Sequence, residues 1–114
     1  MENCLFCKII RGEIPSTRVY EDENTFAFRD INPQAPTHVV VVPKAHVSGM
    51  NETDQLTDAQ LAACLNTCRE VAKITNIDKT GYRVITNCGE NACQSVQHLH
   101  FHVLGGEKLS EKMG

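Results

Sequence analysis

The chain has 114 residues, of which 41% are hydrophobic and 22% charged, with a formal net charge of -3. This length fits one domain with a modest core, and we expect a single domain over residues 1–114. The balance of apolar and charged residues excludes a disordered chain. No cluster of Lys or Arg exceeds two in a row, so we expect no nucleic-acid partner.

The N-terminal segment and the longest apolar run both argue against export or membrane insertion. Residues 1–8 lack the apolar core of a secretory signal, and the run Val39–Val42 is too short to cross a bilayer. We therefore expect a cytoplasmic protein with no membrane partner. In that reducing compartment, metal binding or packing is favoured over disulfides for the six cysteines, which are Cys4, Cys7, Cys64, Cys68, Cys88 and Cys93.

The first third of the chain predicts a short helix followed by three strands. Residues 4–10 form the helix, and residues 17–21 and 25–29 predict two short strands with the spacing of a hairpin. Residues 37–42 are apolar and rich in valine, which suits a largely buried strand that ends at Pro43.

The clearest helix is predicted over residues 57–76. Thr57 and Gln60 have the spacing of a capping box, with the hydroxyl at the cap and the amide three residues later. Apolar residues then recur at steps of three and four, which predicts one buried face made of Leu61, Cys64, Leu65, Cys68, Val71 and Ala72.

Two more strands, over residues 82–86 and 98–104, complete the predicted elements. The strands are joined by short connections and only one long helix interrupts them, which does not fit repeated parallel βαβ units. We therefore predict an α+β fold in which a five-stranded antiparallel sheet carries one long helix and a short N-terminal helix.

Three of the five histidines lie in a stretch of only five residues, 98–102, in the predicted last strand. Alternation along a strand places His98, His100 and His102 on one face, with about 6.5 Å between alternate residues. The three imidazoles could bind a catalytic zinc that keeps a position for water. Alternatively, one neutral imidazole could attack phosphorus while its neighbours move protons. A half-exposed strand that merely carries histidines is disfavoured, because strands have no propensity that would cluster histidine. The spacing does not separate the two functional readings.

Two further segments contain candidate functional residues. The loop over residues 87–96 contains the pair Gln94–Ser95 and runs into the histidine strand, so its N–H groups and the Ser95 hydroxyl can face a phosphate. Near the N-terminus, Cys4 and Cys7 have the spacing of half a zinc site. A redox pair or two unrelated cysteines fit that spacing as well, although no βαβ context supports a thioredoxin-like role.

Residues 94–106, QSVQHLHFHVLGG, resemble the signature of the histidine-triad (HIT) family, and in detail that of its HINT branch. Residues 10–15, 28–38 and 42–46 are similar to that branch too, and the resemblance covers residues 4–106 in the family's order. It implies hydrolysis of nucleoside 5′-phosphoramidates, with adenosine or another purine as the nucleoside, through a covalent nucleotidyl-histidine. Dinucleoside polyphosphate hydrolysis, nucleotidyl transfer and a non-catalytic zinc-stabilised nucleotide-binding module remain alternatives.

The resemblance also implies roles for individual residues. His100 would be the nucleophile, His102 would lie by the phosphate and the bridging atom, and His38 would support the proton relay. Ser95 would bond in the leaving-group region and Asp30 would hold the ribose hydroxyls. The remaining implied substrate contacts are those of the base pocket and the phosphate loop: Phe6, Phe28, Ile31, Asn87 and Gln94.

The resemblance further implies a structural zinc and a homodimer. Zinc would bind Cys4, Cys7, His46 and His98, with no organic cofactor, and two chains would join along the sheet and the long helix. A histidine at position 102 favours the HINT branch over transferase relatives, which usually carry glutamine there. Cys93 departs from the family's usual glycine, which puts the grip on the substrate in doubt.

Overall fold

The structure, a computed structural model, describes residues 3–113, so Met1, Glu2 and Gly114 at the ends of the predicted domain lie outside the described residues. Seven main elements follow one another along the chain. They are α1 (Leu5–Ile10), β1 (Arg18–Glu21), β2 (Thr25–Arg29), β3 (Thr37–Pro43), α2 (Asp58–Ile74), β4 (Tyr82–Ile85) and β5 (Phe101–Gly105). Two 3₁₀ helices, Met50–Gln55 and Glu90–Ala92, occupy stretches for which the sequence predicted no element.

The five strands form one antiparallel sheet in the order β1-β2-β3-β5-β4. This confirms the predicted α+β class and five-stranded sheet. In β3, Val39 and Val41 are buried in the core that packs against α2, whereas Val40 and Val42 are buried with Phe6 and other residues of α1. A central strand that is covered on both faces needs a continuous apolar run, which explains the four consecutive valines.

Helix α2 begins with the predicted capping box, since the Thr57 hydroxyl accepts from the Gln60 N–H and the Gln60 side chain accepts from the Thr57 N–H. Cys64 and Cys68 are buried in the core, as expected for packing residues. The prediction was wrong for Leu65, which is 58% exposed. Successive residues turn by about 100° around a helix, so Leu65 falls beside the stripe that contains Cys64. In residues 3–113, neither helix is long and apolar enough to span a membrane.

The last strand is shorter than predicted, because β5 begins at Phe101 rather than at His98. Its ladder with β3 ends at the pair Val41–Phe101, and Pro43 has no N–H with which to continue it. The segment before β5 is held differently: the Leu99 N–H donates to the Val47 carbonyl. The predicted alternation nevertheless holds, since Leu99, Phe101 and Val103 all lie in the core against α2.

Candidate active site

His100 is buried with one ring nitrogen committed to the backbone. Its Nδ1 lies 2.7 Å from the carbonyl oxygen of His98. A carbonyl can only accept, so Nδ1 carries the hydrogen and Nε2 keeps its lone pair. Burial lowers the pKa of His100 below its ordinary value, so the ring is neutral at pH 7. The fold therefore presents Nε2 of His100 as an unprotonated nucleophile.

A second chain of hydrogen bonds fixes the hydrogens on His38 and His102. The backbone N–H of Gln34 donates to Nδ1 of His38 at 3.0 Å, so His38 carries its hydrogen on Nε2. That Nε2–H donates to Nδ1 of His102 at 2.8 Å. His102 must therefore carry its own hydrogen on Nε2. This is the order that a proton relay toward a ligand requires.

The environment keeps this pair of rings neutral. Burial, with smaller contributions from His100 and His38, lowers the pKa of His102 to about 4. Burial also lowers the pKa of His38, although the Asp30 carboxylate, whose Oδ2 lies 3.4 Å from Nε2 of His38, acts in the opposite direction. Neither ring holds an extra proton at pH 7, so the relay rests as two neutral imidazoles.

His100 and His102 line a cleft of about 310 Å³, here called the apolar cleft. Phe6 packs edge-on against Phe28 and His100, with ring centroids 5.5 and 4.9 Å apart respectively. Ile31 lines the same cleft and is 91% exposed. The structure thus brings together the three residues expected to form the base pocket.

The remaining walls of the apolar cleft combine Asp30 with residues to which the sequence assigned no role. Asp30, which is expected to hold the ribose hydroxyls, lines the cleft, and one of its carboxylate oxygens accepts from the Asn32 N–H at 2.8 Å. The unpredicted apolar lining comes from α1, from the turn after it and from beside the histidines: Leu5, Ile9, Ile14, Pro15, Val40 and Val96. The apolar residues of α1 were the only sequence feature that could have pointed to this wall.

The three residues predicted to contact the substrate from the loop over residues 87–96 lie in different places. Ser95 lines the apolar cleft, whereas Asn87 lines a second, smaller cleft that also includes His102. Gln94 lines neither cleft. Its side-chain amide donates to the carbonyls of Ser48 and Val96, and its oxygen accepts from the Gly89 N–H. Since both amide hydrogens are already used, the Gln94 side chain holds the loop in place rather than binding a ligand.

Cys93, which stands where the resemblance implies glycine, has φ of 60° and ψ of 38°. This left-handed conformation costs a residue with a Cβ about 1–2 kcal/mol. We expect Cys93→Gly to stabilise the fold by about 0.5–1 kcal/mol, because glycine removes that cost but adds freedom to the unfolded chain. Urea denaturation measures this change.

Asn76 provides a matched control, since its φ is 62° and asparagine tolerates the left-handed region better than cysteine does. Asn76→Gly should therefore raise stability by less than Cys93→Gly. An equal gain at the two positions, or a loss on Cys93→Gly, would contradict the strain assigned to Cys93.

Two thiols and two imidazoles converge beside the site. The ligand atoms of Cys4, Cys7, His46 and His98 all lie within 4.8 Å of one another. Sγ of Cys7 is 3.4 Å from Nδ1 of His46, and Sγ of Cys4 is 3.3 Å from Nδ1 of His98. This Cys₂His₂ set is one that tetrahedral Zn²⁺ takes in structural sites.

Hydrogen bonding around His98 supports the fit to a metal. Its Nε2 donates to the Pro43 carbonyl at 2.8 Å, so Nδ1 keeps its lone pair and faces the other three ligands. Burial, together with Cys4, raises the pKa of the Cys7 thiol to about 11. A bound cation would be needed to hold that sulfur as a thiolate at pH 7.

The alternative of one catalytic zinc on all three histidines of the stretch does not fit this arrangement. His98 turns Nδ1 to the cysteines, and His100 donates its own Nδ1–H to a carbonyl.

A second cluster in residues 3–113 groups Asp30, His38 and His102. There the Gln34 N–H fixes the hydrogen on Nε2 of His38, the atom that a metal would need. The rings are therefore arranged for proton movement.

Comparison with known proteins identifies the family of this chain. The family model for the HIT domain matches residues 11–109. The chain is 46% identical to a "14 kDa zinc-binding protein" of Zea mays over 93% of this chain and 84% of that protein. It is 40% identical to the "purine nucleoside phosphoramidase" of Escherichia coli (strain K12), over 95% of this chain and 91% of that one.

A solved structure, described as a HIT family hydrolase from Clostridium thermocellum, is similar to the whole fold. It has a TM-score of 0.94 and 46% identity, and the match covers 99% of this chain and 98% of that one. The chain belongs to the HIT family.

Proposed function

We propose that this protein hydrolyses nucleoside 5′-phosphoramidates, with adenosine as the nucleoside, and releases AMP and an amine. The observation that carries the proposal is the buried His100, whose Nδ1–H is held by the His98 carbonyl while Nε2 keeps its lone pair at the apolar cleft. The phosphoramidase name of the Escherichia coli relative supports the substrate class. Release of AMP and amine, followed by phosphorus NMR, tests it, and no turnover by the folded protein would contradict it.

The nucleoside part of the substrate binds in the apolar cleft. The base lies against Phe6, Phe28 and Ile31, and the Asp30 carboxylate accepts from the ribose hydroxyls. An apolar slot of this kind distinguishes the bases weakly, so a preference for purines would come from stacking area. The phosphate lies at His100, where the Ser95 hydroxyl can donate to it, and the Asn87 amide can donate from the neighbouring cleft that shares His102.

The first chemical step forms a bond between the nucleophile and phosphorus. Nε2 of His100 attacks, the P–N bond to the amine breaks, and its electron pair stays on the amine nitrogen. That nitrogen takes the hydrogen of His102 Nε2, because an amine leaves poorly unless it is protonated. The pair of His38 and His102 is then one proton short, and its negative charge is offset by the positive charge on the His100 ring, which keeps its Nδ1–H while Nε2 bonds to phosphorus. The product of the step is an adenylyl group on His100 and a free amine.

The second step reverses the proton movement. Water attacks the phosphorus and breaks the bond to His100, which regains its lone pair. His102 Nε2 takes a proton from the water, so the pair of His38 and His102 ends as it began. Both steps use the same hydrogen-bonded pair, which lies 2.8 Å apart.

Removal of the relay residue is expected to slow chemistry more than binding. We expect His38→Asn to lower kcat by roughly 10²-fold, since positioned acid–base groups contribute about 10²–10⁴-fold. KM should change little, because His38 lies behind His102 and does not line the apolar cleft. Steady-state kinetics with adenosine 5′-phosphoramidate measures both constants. A kcat within a factor of two of the parent, in a variant that melts normally, would remove His38 from the relay.

A structural zinc and a homodimer accompany the proposed activity. Cys4, Cys7, His46 and His98 would hold Zn²⁺, which when bound supplies a cross-link between the start of α1 and the segment before β5; the proposal includes no organic cofactor. The Zea mays relative is named as zinc-binding.

The partner of this chain in the proposed assembly is a second copy of it. β4 lies at an edge of the sheet, and its Tyr82 and Val84 are 38% and 39% exposed, while Leu65 of α2 is also exposed. An edge strand with apolar side chains is suited to cover by another chain. We place this assembly of two single domains, each residues 1–114, in the cytoplasm, where the six free thiols would stay reduced.

A further inference from the structure

Ser95 is a residue of the proposed site that makes no hydrogen bond of its own. It is exposed, and within residues 3–113 neither its backbone nor its hydroxyl takes part in a hydrogen bond. It also lies outside the helices and strands. A hydroxyl that donates to a phosphate has to be held in place, since a misplacement of about 1 Å can lower a rate roughly 10²-fold. The position of Ser95 must therefore be set by its neighbours.

The Gln94 side chain holds the backbone on both sides of Ser95. Its Nε2 donates to the Val96 carbonyl at 3.0 Å and to the Ser48 carbonyl at 2.7 Å. Its Oε1 accepts from the Gly89 N–H at 2.9 Å, and the Gln94 N–H donates to the Gly89 carbonyl at 3.1 Å. The bond to Val96 closes a short ring around Ser95. The bonds to Ser48 and Gly89 attach that ring to two other backbone segments.

Gly49 leaves the space that the Gln94 amide occupies. A Cβ at position 49 would lie 3.3 Å from Oε1 and 3.4 Å from Nε2 of Gln94, and 3.7 Å from Sγ of Cys88. The first two distances are so short that the amide would have to move by a few tenths of an ångström. The φ of Gly49 is -178°, which is extended backbone that any residue adopts. The constraint at this position therefore comes from the amide and not from the backbone.

We propose that Gln94 is a positioning residue for the chemical step, that it acts by holding the Ser95 hydroxyl beside the phosphate, and that Gly49 makes room for it. This inference rests on the proposed function. Both amide hydrogens of Gln94 are already used, so its effect on the rate must pass through the loop. Ser95 is the part of that loop which reaches the reacting groups, because it lines the apolar cleft together with His100 and His102.

A double-mutant cycle with adenosine 5′-phosphoramidate as substrate tests the proposal. Gln94→Met keeps a side chain of similar length but removes all three of its hydrogen bonds. It should lower kcat about ten-fold and leave KM little changed, because the contacts to the base and the ribose stay. Ser95→Ala should lower kcat about 10²-fold, as for the loss of one donor to a developing charge. The double variant should lie within about two-fold of Ser95→Ala, because residues that act as one unit are not additive.

Gly49→Ala perturbs the same amide without removing a hydrogen-bonding group. It should lower kcat about three-fold in the parent and should have no further effect in Ser95→Ala. Gln60→Met is the matched control, because the Gln60 side chain also bonds a backbone N–H, that of Thr57, but lines neither cleft. It should lower the melting temperature through loss of the helix cap and leave kcat unchanged.

A folded Gln94→Met protein with the parent's kcat would overturn the positioning role while the phosphoramidase activity stands. A ten-fold loss that appears undiminished in the Ser95→Ala background, or an equal loss in Gln60→Met, would overturn it as well. If Gln94→Met does not fold, the cycle of Gly49→Ala with Ser95→Ala decides by the same criteria. A parent protein that does not turn over the substrate would contradict the proposed function itself.

Discussion

Replacement of His100 by alanine is expected to lower kcat for adenosine 5′-phosphoramidate by on the order of 10⁴-fold, which is typical for removal of a nucleophile. The reason is that the buried ring keeps a lone pair on Nε2 at the apolar cleft while its Nδ1–H is held by the His98 carbonyl. Single-turnover kinetics measures the loss directly. Binding of AMP, followed by calorimetry, should persist, since the base and ribose contacts stay.

The control for this variant is Gln97→Ala, which changes an exposed side chain in the same segment. It should keep the parent's rate. Thermal melting of both variants separates chemistry from folding, because loss of the His100 ring leaves a gap beside Phe6, whose ring centroid lies 4.9 Å away. A folded His100→Ala protein that turns over at the parent's rate would take the nucleophilic role away from His100.

Removal of the zinc proposed for the Cys₂His₂ set is expected to lower the melting temperature by about 10 °C without stopping chemistry. A ligand present at 100 times its Kd stabilises a fold by about 2.7 kcal/mol, and about 4 °C accompany each kcal/mol in a domain of this size. The loss falls on the link between α1 and His98, which lies outside the reacting atoms. Calorimetric scans with and without a chelator measure it, and added zinc should restore the parent.

Cys7→Ser should reproduce the chelated state and should not respond to added zinc. Cys93→Ser is the matched control, because Cys93 is an exposed thiol outside the ligand set, and it should respond to the chelator as the parent does. Below the melting temperature of all forms, single-turnover rates should agree within about two-fold. Metal analysis without zinc would contradict the structural site, and loss of the chemical step in chelated, folded protein would point to a catalytic metal.

The main elements of this fold could be predicted because their local signals agree with their packing. The capping box at Thr57 and Gln60 marks the start of α2, and the valines of β3 mark a strand that is buried on both sides. Leu65 shows where this reasoning ends. Apolar residues spaced by three and four occur at the edge of an apolar helix face as well as at its centre. Which of them are buried depends on where the sheet packs against the helix.

The site could be predicted in part. The spacing brought His98, His100 and His102 together but left their chemistry open, and only the resemblance assigned them different roles. Hydrogen bonds to the carbonyls of Pro43 and His98 distinguish the first two rings physically. The resemblance implied a relay through His38, but the direction of its hydrogen bonds could not be predicted from residue types, because it depends on the backbone N–H of Gln34. The Gln94 side chain was expected to contact the substrate, but it is bonded to the Ser48 and Val96 carbonyls and to the Gly89 N–H, and residue types do not reveal such bonds.

The covalent intermediate on His100 is the central claim of this account. Intact-protein mass spectrometry after rapid quenching of the protein with adenosine 5′-phosphoramidate tests it most directly. We predict a transient mass increase of one adenylyl group that fragmentation maps to His100 and that His100→Ala abolishes. Turnover with no adduct at any quench time, or an adduct that maps to another residue and survives in His100→Ala, would contradict the account.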